Sequence, residues 1–495
     1  MRLFCCSLLF ALAASTGAGA QSTDRTVRSV LDAFEAAARL ADAGEREAAV
    51  DEVWRDLAGR IPYVRADSAL FLWRGPARSV AVAGDMTGWR PTAALRRVDS
   101  TDVWLRVDRF PETARLDYKL VLDGSDWRLD PANPHQQWSG FGPNSELRMS
   151  AWTPSPWTAP QPDVPRGTLS PARTVERAGY PHPVTYRVWT PAGYDALDGL
   201  ATLYVTDGHE YADPRLGALP TVLDNLIADG RIAPCIAVLI DPRSGGTNRR
   251  QEQYVQNEAF ASLVAVDLVA AIDADYRTDA RREARTILGT SLGGLFAVSL
   301  GLQHPDVFAN LAPQSPAFWV SGGALGWTGP TISERVASAP SLPFRVAMTT
   351  GTIHDAEDGA REMRDALAAR DVELTYVEVP EGHSWGNWRA LLDDVLVALL
   401  PPIGTGRPPD APDMGVDLRA APNPSAAPRL GFALDRPSAV RVDCLDARGR
   451  VVARLLDRVV GAGEHTLGLP ELAPGAYACR LHSGRQLATS LVTVL

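Results

Sequence analysis

The stretch T-I-L-G-T-S-L-G-G-L-F-A-V, residues 286–298, decides how the largest part of the chain is interpreted. Three strand-like residues precede a G-x-S-x-G pentapeptide, and an apolar run with helical character follows it. In a strand–turn–helix context of this kind, a sharp turn holds the serine hydroxyl exposed at the end of a sheet. We therefore predict that Ser291 is a nucleophile.

The segments on both sides of this turn alternate between strand-like and helix-like patterns over residues 160–402. This alternation is typical of a mostly parallel sheet with flanking helices. The predicted strands are 184–189, 201–206, 232–240, 286–288, 344–349 and 374–379. The predicted helices are 216–228, 259–274, 294–303, 356–369 and 388–400.

A serine nucleophile needs a base, and in this kind of sheet an acid and then a histidine follow the serine along the chain. Five histidines come after Ser291, and His383 directly follows the last predicted strand. The glycine before His383 permits a sharp bend towards the serine. We therefore expect His383 to accept the proton of Ser291.

The acid is expected in the loop after the strand 344–349. Asp355 is favoured because it is the first carboxylate after that strand. Asp358 is the alternative, and Glu357 is a third, since both lie in the predicted first turn of a helix, where an acid is favoured by the helix dipole.

Two motifs resemble the putative-esterase family of α/β-hydrolases, which includes enterochelin, feruloyl and acetyl-xylan esterases. They are G-T-S-L-G-G at 289–294 and G-H-S-W-G-N-W-R at 382–389, and the resemblance spans about residues 165–402. It implies a serine carboxylesterase that forms an acyl-enzyme through a Ser-His-Asp triad.

The oxyanion hole is expected to combine the amide of Leu292 with an amide of the loop after the strand 201–206. That loop, D-G-H-E-Y at 207–211, resembles the D-G-x-x-Y/W motif of the family. Gly208 permits the tight turn, and His209 or a neighbour is the expected donor.

Substrate contacts are expected from Arg249 and Glu252, which match the R-x-x-E loop of the family. These residues either hold an acidic substrate or brace the loop. Trp385, inside the histidine motif, is a third predicted substrate contact.

The first sixty residues divide into two predicted segments. Residues 1–20 run from an arginine through an apolar stretch to A-G-A, the order of an export signal with its cleavage site. We expect the protein to be secreted or held at the cell surface. Apolar residues at helical spacing predict that 21–60 is helical.

Short alternating runs broken by glycine, proline and aspartate predict a small β-sandwich over residues 61–150. The sequence V-A-V-A-G-D-M-T-G-W at 80–89 resembles early-set domains related to starch- and glycogen-binding modules. Exposed Trp89 or Trp127 would stack on a sugar face. The favoured expectation is that both are buried, as tryptophan usually is.

Residues 403–416 are rich in proline and glycine, which predicts an extended linker. Short strands return in 417–495, where P-N-P, D-A-R-G-R and A-P-G-A-Y resemble sorting domains of type IX secretion and flagellar-hook-cap domains. The resemblance implies a second β-sandwich and a partner in the secretion machinery. An accessory sandwich without a sorting role is the alternative. Cys444 and Cys479 either form a disulfide or remain buried thiols.

Composition excludes several other classes. The chain of 495 residues is 45% hydrophobic and carries a net charge of −10, values expected of several globular domains. It has no apolar run of ~18 residues and no basic block, so neither a membrane span nor nucleic-acid binding is expected. It has no metal-binding or phosphate-loop motif, so we expect no metal and no cofactor.

The expected fold is therefore an α/β-hydrolase between two small β-sandwich domains. The expected function is a secreted serine esterase acting on a small-molecule or polysaccharide ester. The alternative is a non-catalytic surface protein that binds glycans and uses the hydrolase domain as a scaffold.

Overall fold

The computed structural model describes residues 25–400 and residues 418–494, apart from gaps at 422–424, 426–427, 435–437, 446–450, 461–462, 471 and 484–485. The predicted export signal, the predicted linker and two predicted turns, at 423–424 and 447–449, lie outside the described residues. The chain divides into two compact units, Met1–Leu400 and Pro401–Leu495. Among the described residues, no helix combines the length and apolar character needed to cross a membrane.

The first unit begins with two capped helices, α1 (Val27–Ala38) and α2 (Ala43–Asp56). The side chain of Thr26 accepts the N–H of Ser29 at 3.0 Å, and that of Asp42 accepts the N–H of Glu45 at 2.9 Å. These bonds satisfy helix N-terminal amides that have no partner inside the helix. The apolar stripe of α1, which includes Phe34, is buried against the strands that follow.

Residues 63–148 form two antiparallel sheets around a shared apolar core. Their strands are β1 (Tyr63–Arg65), β2 (Ser68–Arg74), β3 (Val80–Gly84), β4 (Ala93–Ala94), β5 (Arg96–Arg97), β6 (Val103–Arg109), β7 (Arg115–Leu122), β8 (Asp126–Arg128), β9 (Gln136–Ser139) and β10 (Gly142–Arg148). One sheet has the order β1-β2-β6-β5, and the other has the order β4-β3-β7-β10-β9 with β8 paired to β7.

The expectation that Trp89 and Trp127 are buried is wrong. The two side chains are 37% and 43% exposed. Trp89 has a positive φ of 61° just after the turn Asp85–Thr87, and its Nε1 donates to Asp85, so its ring stays beside that turn. Trp127 lies on β8, in which all three residues are exposed. Sequence alternation does not reveal that a short strand contributes nothing to the core.

A mixed sheet with helices follows in residues 168–399. Its strands and the adjoining hairpin are β11 (Thr168–Leu169), β12 (Arg173–Val175), β13 (Val184–Thr190), β14 (Ala201–Val205), β15 (Cys235–Asp241), β16 (Arg243–Ser244), β17 (Thr247–Asn248), β18 (Arg285–Thr290), β19 (Asn310–Gln314), β20 (Arg345–Gly351) and β21 (Leu374–Val379). The sheet order is β11-β13-β15-β14-β18-β19-β20-β21, and β12 pairs with β13. From β15 onwards all neighbouring strands are parallel.

Helices lie between these strands. They are α3 (Gly208–Ala212), α4 (Leu219–Ala228), α5 (Arg250–Tyr254), α6 (Glu258–Ser262), α7 (Val269–Asp275), α8 (Leu292–Gln303), α9 (Ile332–Ser338), α10 (Glu357–Ala368), α11 (Trp385–Ala390) and α12 (Leu392–Leu399). A π-helical segment, Leu263–Leu268, joins α6 to α7. Two apolar clusters line the sheet, one of which includes α8 while the other includes α4 and α12.

One central strand, β19, was not expected from the sequence. Its sequence, N-L-A-P-Q, contains a proline and has a polar residue at each end. Proline and asparagine are both depleted in strands, so this pattern does not predict one. All five residues are nevertheless buried, and β19 pairs with both β18 and β20. The side chain of Asn310 is satisfied by the carbonyls of Glu283 and Arg285, which makes its burial possible.

The second unit consists of antiparallel strands: β22 (Leu418–Ala421), β23 (Arg429–Leu434), β24 (Ser438–Leu445), β25 (Val451–Val460), β26 (Gly463–Gly468), β27 (Gly475–Ser483) and β28 (Gln486–Val494). They form sheets of order β22-β23-β26 and β25-β24-β27-β28. Cys444 and Cys479 lie opposite each other on β24 and β27 and form a disulfide. Of the two alternatives for these cysteines, the structure has the disulfide.

Deletion of residues 403–495 should leave the first unit folded and its ester turnover intact, because each unit encloses an apolar core of its own. Calorimetry and hydrolysis of a p-nitrophenyl ester, with the full-length chain as control, measure this. An insoluble or inactive truncation would contradict the prediction.

Candidate active site

Ser291 lies at the turn between β18 and α8, with φ 57° and ψ −118°. Its N–H donates to the carbonyl of Gln314 at 2.9 Å, and its carbonyl accepts the N–H of Ala317 at 2.9 Å. A Cβ on Gly289 would lie only 2.3 Å from the carbonyl oxygen of Gly293, so only glycine allows strand and helix to approach so closely here. For a residue other than glycine, the positive φ of Ser291 costs about 1–3 kcal/mol, and this strain persists because the surrounding structure holds the residue in place.

The structure brings Ser291, His383 and Asp355 together. The His383 ring lies between the other two, with Nε2 3.0 Å from the hydroxyl of Ser291 and Nδ1 2.5 Å from a carboxylate oxygen of Asp355. The side chain of His383 is 37% exposed and that of Asp355 is fully buried. The base is thus open to the surface while its acidic partner is shielded from water.

Asp355 is anchored just beyond the end of β20 by four further donors. Its second carboxylate oxygen accepts the hydroxyl of Ser315 and the N–H of Gly351, each at 2.5 Å, and the hydroxyl of Thr350 and the amide of Asn387 lie 3.4 Å away. Burial by itself raises the pKa of Asp355, but the hydrogen bonds from His383, Ser315 and Gly351 outweigh it and hold the pKa below its usual value. The carboxylate is therefore ionised at neutral pH.

The competing carboxylates point to other partners. Glu357 accepts the backbone N–H of Asp355 at 3.0 Å, and so it supports the loop. Asp358 is exposed in the first turn of α10. Of the three carboxylates that the sequence left open, Asp355 is the one in contact with His383.

The residues expected to supply the oxyanion donors lie at two helix N-termini. Leu292 is the first residue of α8, and Gly208 and His209 begin α3. Amides in a first helical turn have no acceptor inside the helix, so they are available to a ligand. A Cβ on Gly208 would lie 2.3 Å from the backbone carbon of Leu239, which explains why α3 can pack so closely on β15.

The side chain of His209 faces Asp241, whose carboxylate oxygen lies 3.4 Å from its Nδ1. Burial lowers the pKa of His209, although Asp241 opposes this. The ring is therefore neutral at physiological pH, which agrees with a structural rather than a basic role for this side chain.

Arg250 ties the α3 loop to the nucleophile turn. Its guanidinium donates to both carboxylate oxygens of Asp207, at 2.9 and 3.0 Å, and to the carbonyl of Thr290 at 2.8 Å. Burial raises the pKa of Asp207, and Arg250 opposes that shift. The sequence placed Arg250 beside the predicted R-x-x-E pair, but only the structure reveals that it joins these two loops.

Arg249 directly precedes α5, and it forms an ion pair at 3.0 Å with Glu252 in the first turn of that helix. Glu252 also approaches His182 at 3.5 Å. Both residues line a surface cavity of about 470 Å³ together with Thr247 and Leu325. The pair is thus accessible to a ligand and also braces α5, and both roles considered from the sequence are compatible with this geometry.

The prediction that Trp385 contacts substrate is wrong. Its side chain is 3% exposed and packs edge-on against Tyr211 and Trp388, with ring centroids 4.9 and 5.0 Å apart. The motif places Trp385 close to His383 along the chain, but it does not reveal which face of α11 points inwards. Trp388 is the ring that meets the imidazole, at 5.0 Å and 88°.

Three residues that support the triad were not identified from the sequence. They are Ser315, which donates to Asp355; Asn387, which donates to the carbonyl of Gly382 at 3.0 Å; and Trp388. Asn387 and Trp388 belong to the G-H-S-W-G-N-W-R motif. Their place in this motif, close to His383, was the signal from which they could have been found. Ser315 follows the unexpected strand β19 and carries no motif. Among the residues that the structure describes, no group of three His, Cys, Asp or Glu side chains is arranged as a metal site.

Burial raises the pKa of Glu210, which lies next to His209, to about 7. In the unfolded chain the carboxyl ionises near 4.5, so the folded state binds its proton more tightly and loses stability as the pH rises from 4.5 through 7. Glu210→Gln should therefore raise the melting temperature by a few degrees at pH 8 and leave it unchanged at pH 4.5. Thermal unfolding at the two pH values tests this, and an equal shift at both would contradict it.

Comparison with known proteins identifies relatives of part of this chain. Residues 178–399 match the family model described as "Putative esterase". The iron(III) enterobactin esterase of Escherichia coli O6:H1 is 24% identical over 340 residues, 63% of this chain and 82% of that protein. An endo-1,4-beta-xylanase/feruloyl esterase of Xylanibacter ruminicola is 26% identical over 227 residues, 43% of this chain and 29% of that protein.

A solved structure extends the likeness in fold beyond the region of the family match. The crystal structure of ferric enterobactin esterase from Salmonella typhimurium superposes with a TM-score of 0.57 at 20% identity. The superposition covers 67% of this chain and 93% of that chain. Residues 178–399 therefore resemble the "Putative esterase" family in sequence, and the chain shares its fold with ferric enterobactin esterase over 67% of its length.

Proposed function

We propose that the protein is a serine carboxylesterase in which Ser291 is the nucleophile, His383 the base and Asp355 the triad acid. The observation that carries this proposal is the continuous hydrogen-bonded chain from Asp355 through His383 to the half-buried Ser291 at the turn. Esterase relatives support the reaction class independently of that geometry.

In the proposed mechanism, the Ser291 hydroxyl attacks an ester carbonyl while the Nε2 atom of His383 accepts its proton. Asp355 holds the Nδ1–H tautomer and stabilises the imidazolium that forms. The amides of Leu292 and of Gly208 or His209 stabilise the oxyanion. The alcohol leaves with the proton from His383, and water, activated by the same ring, then releases the acid.

We infer that the substrate is a catecholate ester of the siderophore type rather than a plant polysaccharide ester. The support is the extent of the alignment: 340 residues align with the enterobactin esterase, against 227 with the xylanase/feruloyl esterase. A panel of a cyclic catecholate trilactone, feruloylated xylooligosaccharide and acetyl-xylan tests this. A kcat/KM at least tenfold higher for the trilactone is expected, and a preference for either xylan ester would reject it.

The regions outside the hydrolase fit an exported enzyme. We assign residues 61–150 to an early-set β-sandwich and 417–495 to a sorting-type β-sandwich that engages the secretion machinery. The order of residues in 1–20 supports export. The Cys444–Cys479 disulfide supports it too, because such bonds persist in oxidising compartments.

Exposed aromatic residues favour one second candidate, a glycan-binding protein without catalysis. Trp89 and Trp127 present rings to solvent, as a sugar-stacking surface requires. A serine-directed phosphonate separates the two candidates, since a scaffold without an activated serine is not labelled. Labelling at Ser291 supports the esterase.

Ser291→Ala should lower ester turnover by ~10³-fold or more with folding unchanged, because the triad loses its nucleophile. Steady-state hydrolysis of a short-chain p-nitrophenyl ester and circular dichroism measure this. Ser321→Ala, at a half-buried serine outside the proposed triad, is the control. A folded Ser291 variant with wild-type turnover would reject the assignment.

Asp355→Asn should reduce kcat far more than Asp358→Asn, because only Asp355 bonds to the imidazole. The asparagine variant favours the wrong tautomer of His383, a change that costs ~10⁴-fold in a serine protease. The two kcat values, measured on the same ester, decide the matter. A larger loss for Asp358→Asn would contradict the geometry.

A further inference from the structure

The loop that carries His383 is held by residues outside the α/β fold. It lies against strand β7 and the turn Asp85–Thr87, which belong to the antiparallel sheets of residues 63–148. Family motifs explain His383 itself, but they do not explain this contact. The side chains that make it are almost completely buried.

Arg115, at the start of β7, is the centre of the contact and is 1% exposed. Its guanidinium donates to the hydroxyl of Ser384 at 3.0 Å, and Glu381 lies 3.5 Å away. On its own side it donates to Asp117 and Glu146, each at 2.5 Å. Arg115 therefore joins carboxylates of the antiparallel sheets to both residues that flank the Gly382–His383 pair.

Backbone contacts reinforce this junction. Arg115 and Glu381 form an isolated parallel β-bridge. The indole Nε1 of Trp152 donates to Glu381 at 3.1 Å. Glu381 therefore has its main chain and both of its carboxylate oxygens engaged by residues that precede the hydrolase region.

Two glycines of the histidine motif are explained by the same junction. A Cβ on Gly386 would lie 2.0 Å from the Cζ atom of Arg115, and a Cβ on Gly382 would lie 2.1 Å from the Cγ atom of Asp85. Asp85 is itself fixed, since it accepts the N–H of Asp117 at 2.7 Å and the indole of Trp89 at 3.2 Å. No side chain fits between these groups and the loop.

We propose that Arg115 is a positioning residue for His383, so that the antiparallel sheets complete the active site instead of merely accompanying it. This inference rests on the esterase function proposed above. Without Arg115, the buried carboxylates of Asp117 and Glu381 lose their cationic partner, while Glu146 keeps Arg148, and the uncompensated charge displaces the loop. A displacement of about 1 Å at a base can cost ~10²-fold in rate.

The first test compares two substitutions at Glu381 in the full chain. Glu381→Ala should lower kcat by ~10–100-fold with KM within twofold, because the imidazole is misplaced while the substrate surface is unchanged. Glu381→Gln keeps one oxygen acceptor, enough for either Trp152 or Arg115 but not for both, and should recover part of that loss. A change confined to KM, or no recovery by glutamine, would overturn the proposal.

The second test compares Arg115→Met with the matched control Arg148→Met. Both arginines pair with Glu146. Of the two, Arg115 is the one that donates to Ser384 in the His383 loop. We expect the kcat loss for Arg115→Met and a kcat within twofold of wild type for Arg148→Met. Equal losses would mean that the ion cluster acts only through stability. If Arg115→Met does not fold, the Glu381 variants decide.

Hydrogen exchange of residues 381–388 separates this inference from the proposed function. Faster exchange there in Arg115→Met than in Arg148→Met is expected, and it needs no enzymatic activity. Wild-type protein that neither hydrolyses esters nor reacts with a phosphonate rejects the function. An active Arg115→Met variant with wild-type kcat and unchanged exchange rejects the positioning role alone.

Discussion

Everything at the site depends on keeping Ser291 in its strained conformation of positive φ at the end of a central strand. The turn is held by two backbone hydrogen bonds, to Gln314 and from Ala317, both in the segment that includes β19. That strand is central and fully buried, so Ser291 is held by one of the least deformable parts of the first unit. A strained residue is retained only where its surroundings leave it no alternative.

The other two members of the site come from less regular structure and are held by polar contacts. Several hydrogen-bond donors surround the carboxylate of Asp355. The side-chain amide of Asn387 connects the two loops, because it donates to the carbonyl of Gly382 and approaches Asp355. Arg250 likewise holds two segments together, because it donates both to Asp207 and to the carbonyl of Thr290 in the strand before Ser291. These bonds fix loops that have no sheet partners to hold them.

Buried charge is the cost of this arrangement. Arg115, Asp117, Glu146 and Glu381 are nearly inaccessible to water, and a buried ion cluster is weak evidence for stability because desolvation opposes the attraction. Its position between the antiparallel sheets and the His383 loop suggests why it is tolerated. A cluster that fixes the orientation of a base contributes specificity of structure even where its net contribution to stability is small.

The sequence alone determined the elements whose signals are local. Apolar periodicity predicted most strands and helices of the α/β region, and the G-x-S-x-G turn and the glycine before His383 predicted where the chain bends sharply. Local composition also led to Asp355, although Asp358 could not be dismissed. Tertiary structure decided what no local pattern contains: the burial of β19, the inward face of Trp385, the exposure of Trp89 and Trp127, and the partners of Arg115 and Arg250. Each of these depends on side chains far apart in the chain, as Arg115 and Ser384 are, and such contacts exist only once the sheets have packed.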